Sequence, residues 1–323
     1  MPTWIIDPAG AGDYTSIQAA IDAIPPTLTE SYTLRLRSTT EFVVSSNVNI
    51  AQRTMNGNWI VIEPHPGFGF ADHPNAATNA LRYNPSNGIA IRNTNEYQSA
   101  IFIDTDNVEL RGLQLNNNVG HPVVNHLQRA GLRNLRVINC ILENSSTANN
   151  ARPLATSHAI VENTVLVHRS NSTGVVGHLT GPSSTFTNCV IVNTAGTTQA
   201  AFERGFGSNQ YTLRNCAIFG YGSIAPSGIG TGSHNATDLA SVGFGTNNLT
   251  NLSAADQFEN VNFNSQDWRT RSGAALLGAG STLGTTTDII GRTRPTPPAI
   301  GAWDVSAGQS GGTSRVIGSI IVG

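Results

Sequence analysis

Asp104, Asp106, Glu109 and Arg111 form the densest group of reactive side chains in the chain. Three carboxyls beside a guanidinium could serve as an acid/base pair or hold Ca²⁺. They fall at a strand end and turn, where a solvated turn with Asx hydrogen bonds is the simpler account. Five histidines, His121, His126, His158, His168 and His178, crowd one stretch, and structural or solvent-exposed roles are expected for them ahead of metal or base roles. Cys140, Cys189 and Cys216 are an odd number in no metal-ligand spacing. No HExxH, GxSxG or Walker pattern occurs, and the absence of lysine excludes Schiff-base and P-loop chemistry. No metal set and no cofactor is expected, with Ca²⁺ at the acidic cluster as the alternative.

The elements that would position these groups appear as a repeat. Five segments align without gaps: NVELRGLQLNN (107–117), NLRVINCILEN (134–144), HAIVENTVLVH (158–168), SSTFTNCVIVN (183–193) and QYTLRNCAIFG (210–220). Their central residues, Gly112, Asn139, Asn163, Asn188 and Asn215, are 27, 24, 25 and 27 apart, about one coil of a parallel β-helix. Two before the centre stand Leu110, Val137, Val161, Phe186 and Leu213; one after, Leu113, Cys140, Thr164, Cys189 and Cys216; three after, Leu115, Leu142, Leu166, Ile191 and Ile218. Strand side chains alternate with period two, so these inward columns slip phase at the centre. That slip requires a tight bend, and Asn or Gly tolerates the left-handed backbone there. Asn139, Asn163, Asn188 and Asn215 are therefore expected to form a structural ladder, each amide bonding to the next coil. His168 occupies the column of Asn117, Asn144, Asn193 and Gly220 and stands in for a ladder Asn.

The three cysteines share one inward column. Cys140 and Cys189 are about two strand spacings apart, roughly 9–10 Å, too far for a disulfide; Cys189 and Cys216 are on adjacent coils with parallel side chains. Three free, buried core thiols are expected. The outward columns, Asn116/Glu143/Val167/Val192/Phe219 and Arg111/Ile138/Glu162/Thr187/Arg214, stack no two carboxylates. Glu143 and Glu162 come from adjacent coils but on opposite sides of the bend.

Upstream, alternating segments at 32–37, 59–63, 88–92 and 100–104 read as earlier coils. Residues 15–24 predict an amphipathic helix with Ile17, Ala20, Ile21 and Ile24 on one face, capped by Asp13 or Thr15 and stopped by Pro25-Pro26. The fold class is all-β: a right-handed parallel β-helix solenoid with an N-terminal amphipathic helix cap. Residues 1–27 form the strand and helix cap, 28–254 the coils, 255–304 a C-terminal closing segment, and 305–323 a flexible linker and apolar docking tail. In that tail Val316, Ile317, Ile320, Ile321 and Val322 make a β-branched run. It predicts either a strand folded back on the body or one that pairs with another subunit.

The opening IIDPAGAGDYTSIQAAIDAIP (5–25) resembles that of pectate-lyase-like and pectin-methylesterase-like right-handed β-helix proteins. DIIGRTRPTPPAIGAWD (288–304) is similar to the closing segment of bacterial and phage β-helix proteins, and the Asn column resembles that superfamily's asparagine ladder. The resemblance implies the fold; the same architecture hosts lyases, hydrolases, esterases, tailspikes and inert structural proteins. A methylesterase-like site would need two Asp and an Arg in the middle coils, yet residues 130–220 contain no Asp.

Charged residues are 12% of the chain and the formal net charge is −2, which gives no electrostatic footprint for nucleic acid. No apolar run is long enough for a membrane span, and Met1-Pro2-Thr3-Trp4 does not open like a signal peptide. The expectation is a bacteriophage virion structural protein, a capsid decoration, tail or host-attachment component without catalysis. Its expected partners are other virion proteins, copies of itself as a homo-oligomer such as a trimer, and a host surface glycan. The alternatives are a polysaccharide-active lyase or hydrolase and a carbohydrate-binding protein at the cell surface or outside the cell.

Overall fold

A computed structural model of the chain describes residues 1–126, 134–148, 150–156, 158–170, 176–177, 184–202, 211–225, 230–262 and 264–305. The expected docking tail and His178 lie outside the described residues. The fold is a right-handed parallel β-solenoid of about seven turns. Three parallel sheets form its walls: a long one of nine strands, a second of eight and a third of five.

The repeat register is that of the sequence columns. Leu135 pairs with Val108 and Ala159, Thr185 with Ile160, and Ser184 with Tyr211. Gly112, Asn139, Asn163, Asn188 and Asn215 follow these strands as corner residues, with φ between 47° and 64°. The same column continues through His234 and Asn247 with φ of 55° and 57°, two coils that have no strong apolar pattern in sequence. All fifteen residues of the three inward columns are fully buried. Full burial of each aliphatic side chain contributes about 1.5–3 kcal/mol, and only the stack of coils makes it achievable.

The N-terminal helix spans Ile17–Ala23, and Ile17, Ala20 and Ile21 pack into the main core. Its cap is Ser16, whose Oγ accepts from Ala19 N at 3.2 Å, and not the expected Asp13 or Thr15. Asp13 is engaged elsewhere: its Oδ2 accepts from Ile5 N at 2.7 Å.

The asparagine corner differs from the expected ladder. Among the described residues no hydrogen bond joins these side chains from coil to coil; those of Asn163, Asn188 and Asn215 reach the C-terminal segment instead. Asn163 Oδ1 accepts from Arg294 Nη2 at 3.0 Å, Asn188 Oδ1 from Thr285 N at 3.1 Å, and Asn215 Oδ1 from Ser281 N at 2.7 Å. Gly284 passes so close that a Cβ would stand 2.3 Å from Asn188 Oδ1. The buried amide stack lies at the opposite end of the second sheet, in the column Asn93, Asn117, Asn144, His168 and Asn193. Asn117 Nδ2 donates to the carbonyls of Gln98, His121 and Pro122 at 3.0–3.1 Å. Asn144 Nδ2 donates to His121 O and Arg152 O. A carbonyl-rich turn sealed from water needs such donors.

Residues 255–304 close the flank of the solenoid rather than its end. The outer face of the second sheet is apolar through Ile141, Val165, Val190 and Val192. It forms a second core with Trp268, Leu276, Ile289 and Trp303 of this segment. The belt so formed meets the insertion at residues 65–88, where Leu81 N donates to Asp267 Oδ1 at 2.9 Å and Arg82 Nη1 to Asn264 O at 2.7 Å. Arg294 pins it from within, 6% exposed, donating to the carbonyls of Thr287, Gly301 and Ala302 and lying 3.4 Å from Asp304. At the solenoid's C-terminal end Val242 joins the main core, with Leu239 and Phe244 packed against it.

Candidate functional site on the outer face of the long sheet

Of the three walls, the long sheet presents the longest outward array. Strand register sets two rows across it. One runs Thr33, Val61, Glu109, Arg136, Ile160, Thr185, Thr212 and Thr231; the other contains Arg35, Glu63, Arg111, Ile138, Glu162, Thr187, Arg214 and Ser233.

Oppositely charged groups alternate along the first coils. Arg35 Nε lies 2.9 Å from Glu63 Oε1, Arg111 Nη1 3.7 Å from Glu63 Oε2, and Arg136 Nη1 3.6 Å from Glu109 Oε2. Arg111 Nη2 also bonds directly to Glu109 Oε1. The Arg136 guanidinium stacks 4.4 Å from the centre of the Trp59 ring. The carboxylates lie low and the guanidiniums high: the Glu109 side chain is 5% exposed and that of Arg111 51%. Farther along, the rows turn to hydroxyls, and Thr212 Oγ1 sits 3.2 Å from Thr231 Oγ1.

The four residues singled out from sequence therefore divide. Glu109 and Arg111 meet on this face, together with Glu63, Arg35 and Arg136. Asp104 and Asp106 stand on the turn between the third sheet and the long one. There Thr105 Oγ1 accepts from Arg53 N at 3.3 Å, and Asn107 turns the chain with φ 53°. Asp106 acts electrostatically on the buried His126, whose pKa burial lowers to about 4. Sequence reading missed Glu63 as a partner because 45 residues separate it from Glu109's neighbourhood at Val108 in all but the fold; the Tyr32/Ile60/Val108 register joins them.

A second polar group lies beneath the belt. Glu143 Oε2 accepts from Gln266 Nε2 at 3.0 Å, and Arg169 Nη2 is 3.6 Å from its other oxygen. Burial raises the Glu143 pKa against the pull of Arg169 and Gln266. Beside it the Tyr83 hydroxyl donates to Glu41, which also pairs with Arg92 at 2.8 Å. Burial raises the Glu41 pKa, but the bonds from Arg92 and Tyr83 outweigh it and the net shift is downward. This group joins sheet, insertion and belt; the Glu143 side chain is 9% exposed, whereas that of Arg92 reaches solvent at 34%.

The cysteines are free and fully buried. Burial pushes the Cys140 thiol up to about 12, far from a reactive thiolate. His168 is fully buried in the amide column, and burial lowers its pKa to about 4. Among the described residues, no three of His, Cys, Asp and Glu come together to hold a metal ion, and no helix is long and apolar enough to cross a membrane. The chain matches no family model, no curated protein and no solved structure.

Proposed function

We propose that the protein is a non-catalytic structural component, a capsid-decoration, tail or host-attachment subunit of a bacteriophage virion, in which copies of the chain assemble with one another and with other virion proteins. The observation that carries this reading is the pairing of two carboxylates, Glu63 and Glu109, on the exposed sheet. Glu63 lies between Arg35 and Arg111, and Glu109 between Arg111 and Arg136. A general base needs access to substrate, and the Glu109 carboxylate, 5% exposed beneath the Arg111 and Arg136 guanidiniums, is shielded from it. A stiff, low-charge solenoid with a second core along its flank suits a load-bearing subunit.

The test is an incubation of the purified chain with acidic and neutral polysaccharides, with and without Ca²⁺, read for new reducing ends and unsaturated products. No product is expected. Product that disappears in Glu63→Gln or Glu109→Gln would overturn the reading. Peptides of the chain should also appear in mass spectra of purified virions from the host that carries the gene.

One observation favours a second reading, glycan binding or cleavage: on the first coils of the long sheet Arg111 is 51% exposed and the partly exposed Arg136 stacks on Trp59. The same incubations, with glycan-array binding added, separate attachment from cleavage.

A further inference from the structure

Each coil of a solenoid is held by the coils next to it, so a bare stack can peel away from an end one coil at a time. Residues 264–304 depart from that pattern. They follow the last coil in sequence, yet they bond to coils far back along the stack. Asn215 is held at both amide atoms: Oδ1 accepts from Ser281 N at 2.7 Å, and Nδ2 donates to Ser281 O at 2.8 Å. On the preceding coil Asn188 Oδ1 accepts from Thr285 N at 3.1 Å. The Thr285 hydroxyl sits 2.8 Å from Asn163 Oδ1 and 3.3 Å from Asn188 Oδ1, between two coils. Asn163 Nδ2 donates to Thr287 O at 2.9 Å. One coil farther back, Glu143 Oε2 accepts from Gln266 Nε2 at 3.0 Å.

The far end of the belt is fastened to the insertion at 65–88, which leaves the stack after the strand Ile60–Pro64. Trp268 N donates to Leu81 O at 3.3 Å, and Arg269 Nη1 to Ala77 O at 3.2 Å. In return Leu81 N and Arg82 Nη1 donate to Asp267 Oδ1 and Asn264 O. By register, Ile60–Pro64 stands five strands from Tyr211–Arg214 in the long sheet, about 24 Å along the axis. The belt spans that distance as one stiff piece. Arg294 ties its carbonyls together, the Arg292 guanidinium lies 4.0 Å from the centre of the Trp303 ring, and Thr270 Oγ1 donates to Trp303 O at 3.3 Å.

We propose that the belt is a longitudinal strap that makes the coils between the strands Ile60–Pro64 and Ala217–Phe219 open as one cooperative unit. A stiff belt cannot follow one departing coil without leaving the others. A coil that opens beneath a seated belt exposes apolar belt side chains such as Leu276 and Ile289, together with the outward valines Val165, Val167, Val190 and Val192 of the neighbouring coils, and that exposure opposes the opening. Local openings within the span are therefore suppressed in favour of one that releases the whole belt. The last short coils stand outside the unit: among the described residues, 230–250 make no hydrogen bond to 264–304. The inference goes beyond the structural-protein reading and holds whether or not the chain cleaves a glycan.

Native-state amide exchange read by mass spectrometry at rising, sub-denaturing urea tests it on the full chain and on Gly284→Val. A Cβ at Gly284 would stand 2.3 Å from Asn188 Oδ1 and 2.6 Å from Asn215 Nδ2, so valine wedges the strap outward and alters no residue of the coils. In the native chain the protected amides of 108–117, 135–144, 159–168, 190–193 and 211–219 should converge on one exchange rate as urea rises, with 230–237 exchanging faster. In Gly284→Val the convergence should be lost, and 211–219 should exchange about tenfold faster than 108–117, in a gradient from the C-terminal end. Circular dichroism checks that the variant folds; should it not, Gly284→Ala, the smaller wedge, takes its place. The proposal is overturned by a native chain whose coils already show that gradient, or by a folded wedge variant whose coils still converge.

Discussion

Replacing Arg294 with methionine isolates what holds the belt to the solenoid. The guanidinium donates to Asn163 Oδ1, to the carbonyls of Thr287, Gly301 and Ala302 at 2.9–3.1 Å, and lies 3.4 Å from Asp304 Oδ2. Methionine keeps much of the apolar stem and removes every donor. The Asp304 carboxylate, 2% exposed, is then buried without its cation. Removing one partner of a buried pair costs about 3–5 kcal/mol, and that is the loss expected here.

The loss should also be local. Trp268 and Trp303 lie in the belt, 2% and 3% exposed, whereas Trp4 and Trp59 belong to the first coils. In urea titrations the belt tryptophans should redden before the β-sheet dichroism falls, and amide exchange should accelerate across 281–304 first. Burial raises the Asp304 pKa while Arg294 holds it down, so the variant's Asp304 pKa rises further. A carboxyl with a raised folded pKa favours folding in its protonated form. The deficit should therefore be smallest below the ordinary carboxylate value of about 4 and grow as pH rises through the folded pKa. Asp304→Asn added to Arg294→Met should recover a large part of the loss at neutral pH. A loss under about 1 kcal/mol, no larger than that from Arg111→Met on the surface, would refute the assignment.

Asn117→Ala leaves three carbonyls without their shared donor and should cost about 2–3 kcal/mol in urea unfolding, whereas Asn116→Ala should cost less because its amide makes two longer contacts. The thiols of Cys140, Cys189 and Cys216 should resist Ellman's reagent in the native chain and all react in urea; rapid reaction of any one in the folded state would contradict its burial. His126 and His168 stay neutral in the fold down to about pH 4, while the unfolded chain takes up those protons near 6.5. Stability should accordingly fall as pH drops from about 6.5 towards 4, and His126→Gln should flatten that slope in acid titrations followed by circular dichroism.

The coils were legible in sequence because their inward columns obey one geometry. A residue two before the corner, one after and three after must fit the same interior in every turn, and Leu110, Val137, Val161, Phe186 and Leu213 show it directly. The left-handed corner was legible for the same reason, since its steric demand selects Asn or Gly. What those Asn side chains bond to was not, because an amide is equally suited to the next coil or to a belt 66 to 131 residues away. A signal for the belt was present: Val165, Val167, Val190 and Val192 make their strands apolar on both faces, which in a solenoid wall requires an outer cover. The long sheet's Arg/Glu alternation was half visible in Glu109 and Arg111. Glu63 joins them only through register across the longest coil, which holds the 65–88 insertion.

The final turns of the solenoid shorten. Tyr211 pairs with Gly230, 19 residues on, and Ser233 with Thr246, 13 residues on, against 27 between Val108 and Leu135. End-on fibre growth needs two terminal faces of matching outline, so that each new rung meets a full set of hydrogen-bonding partners. A full-width rung set on this narrowed tip would overhang it and leave amides dangling in water. The taper makes the molecule polar in its capacity to polymerise: elongation is blocked at one pole by shape alone, and any ordered stacking has to begin at the other.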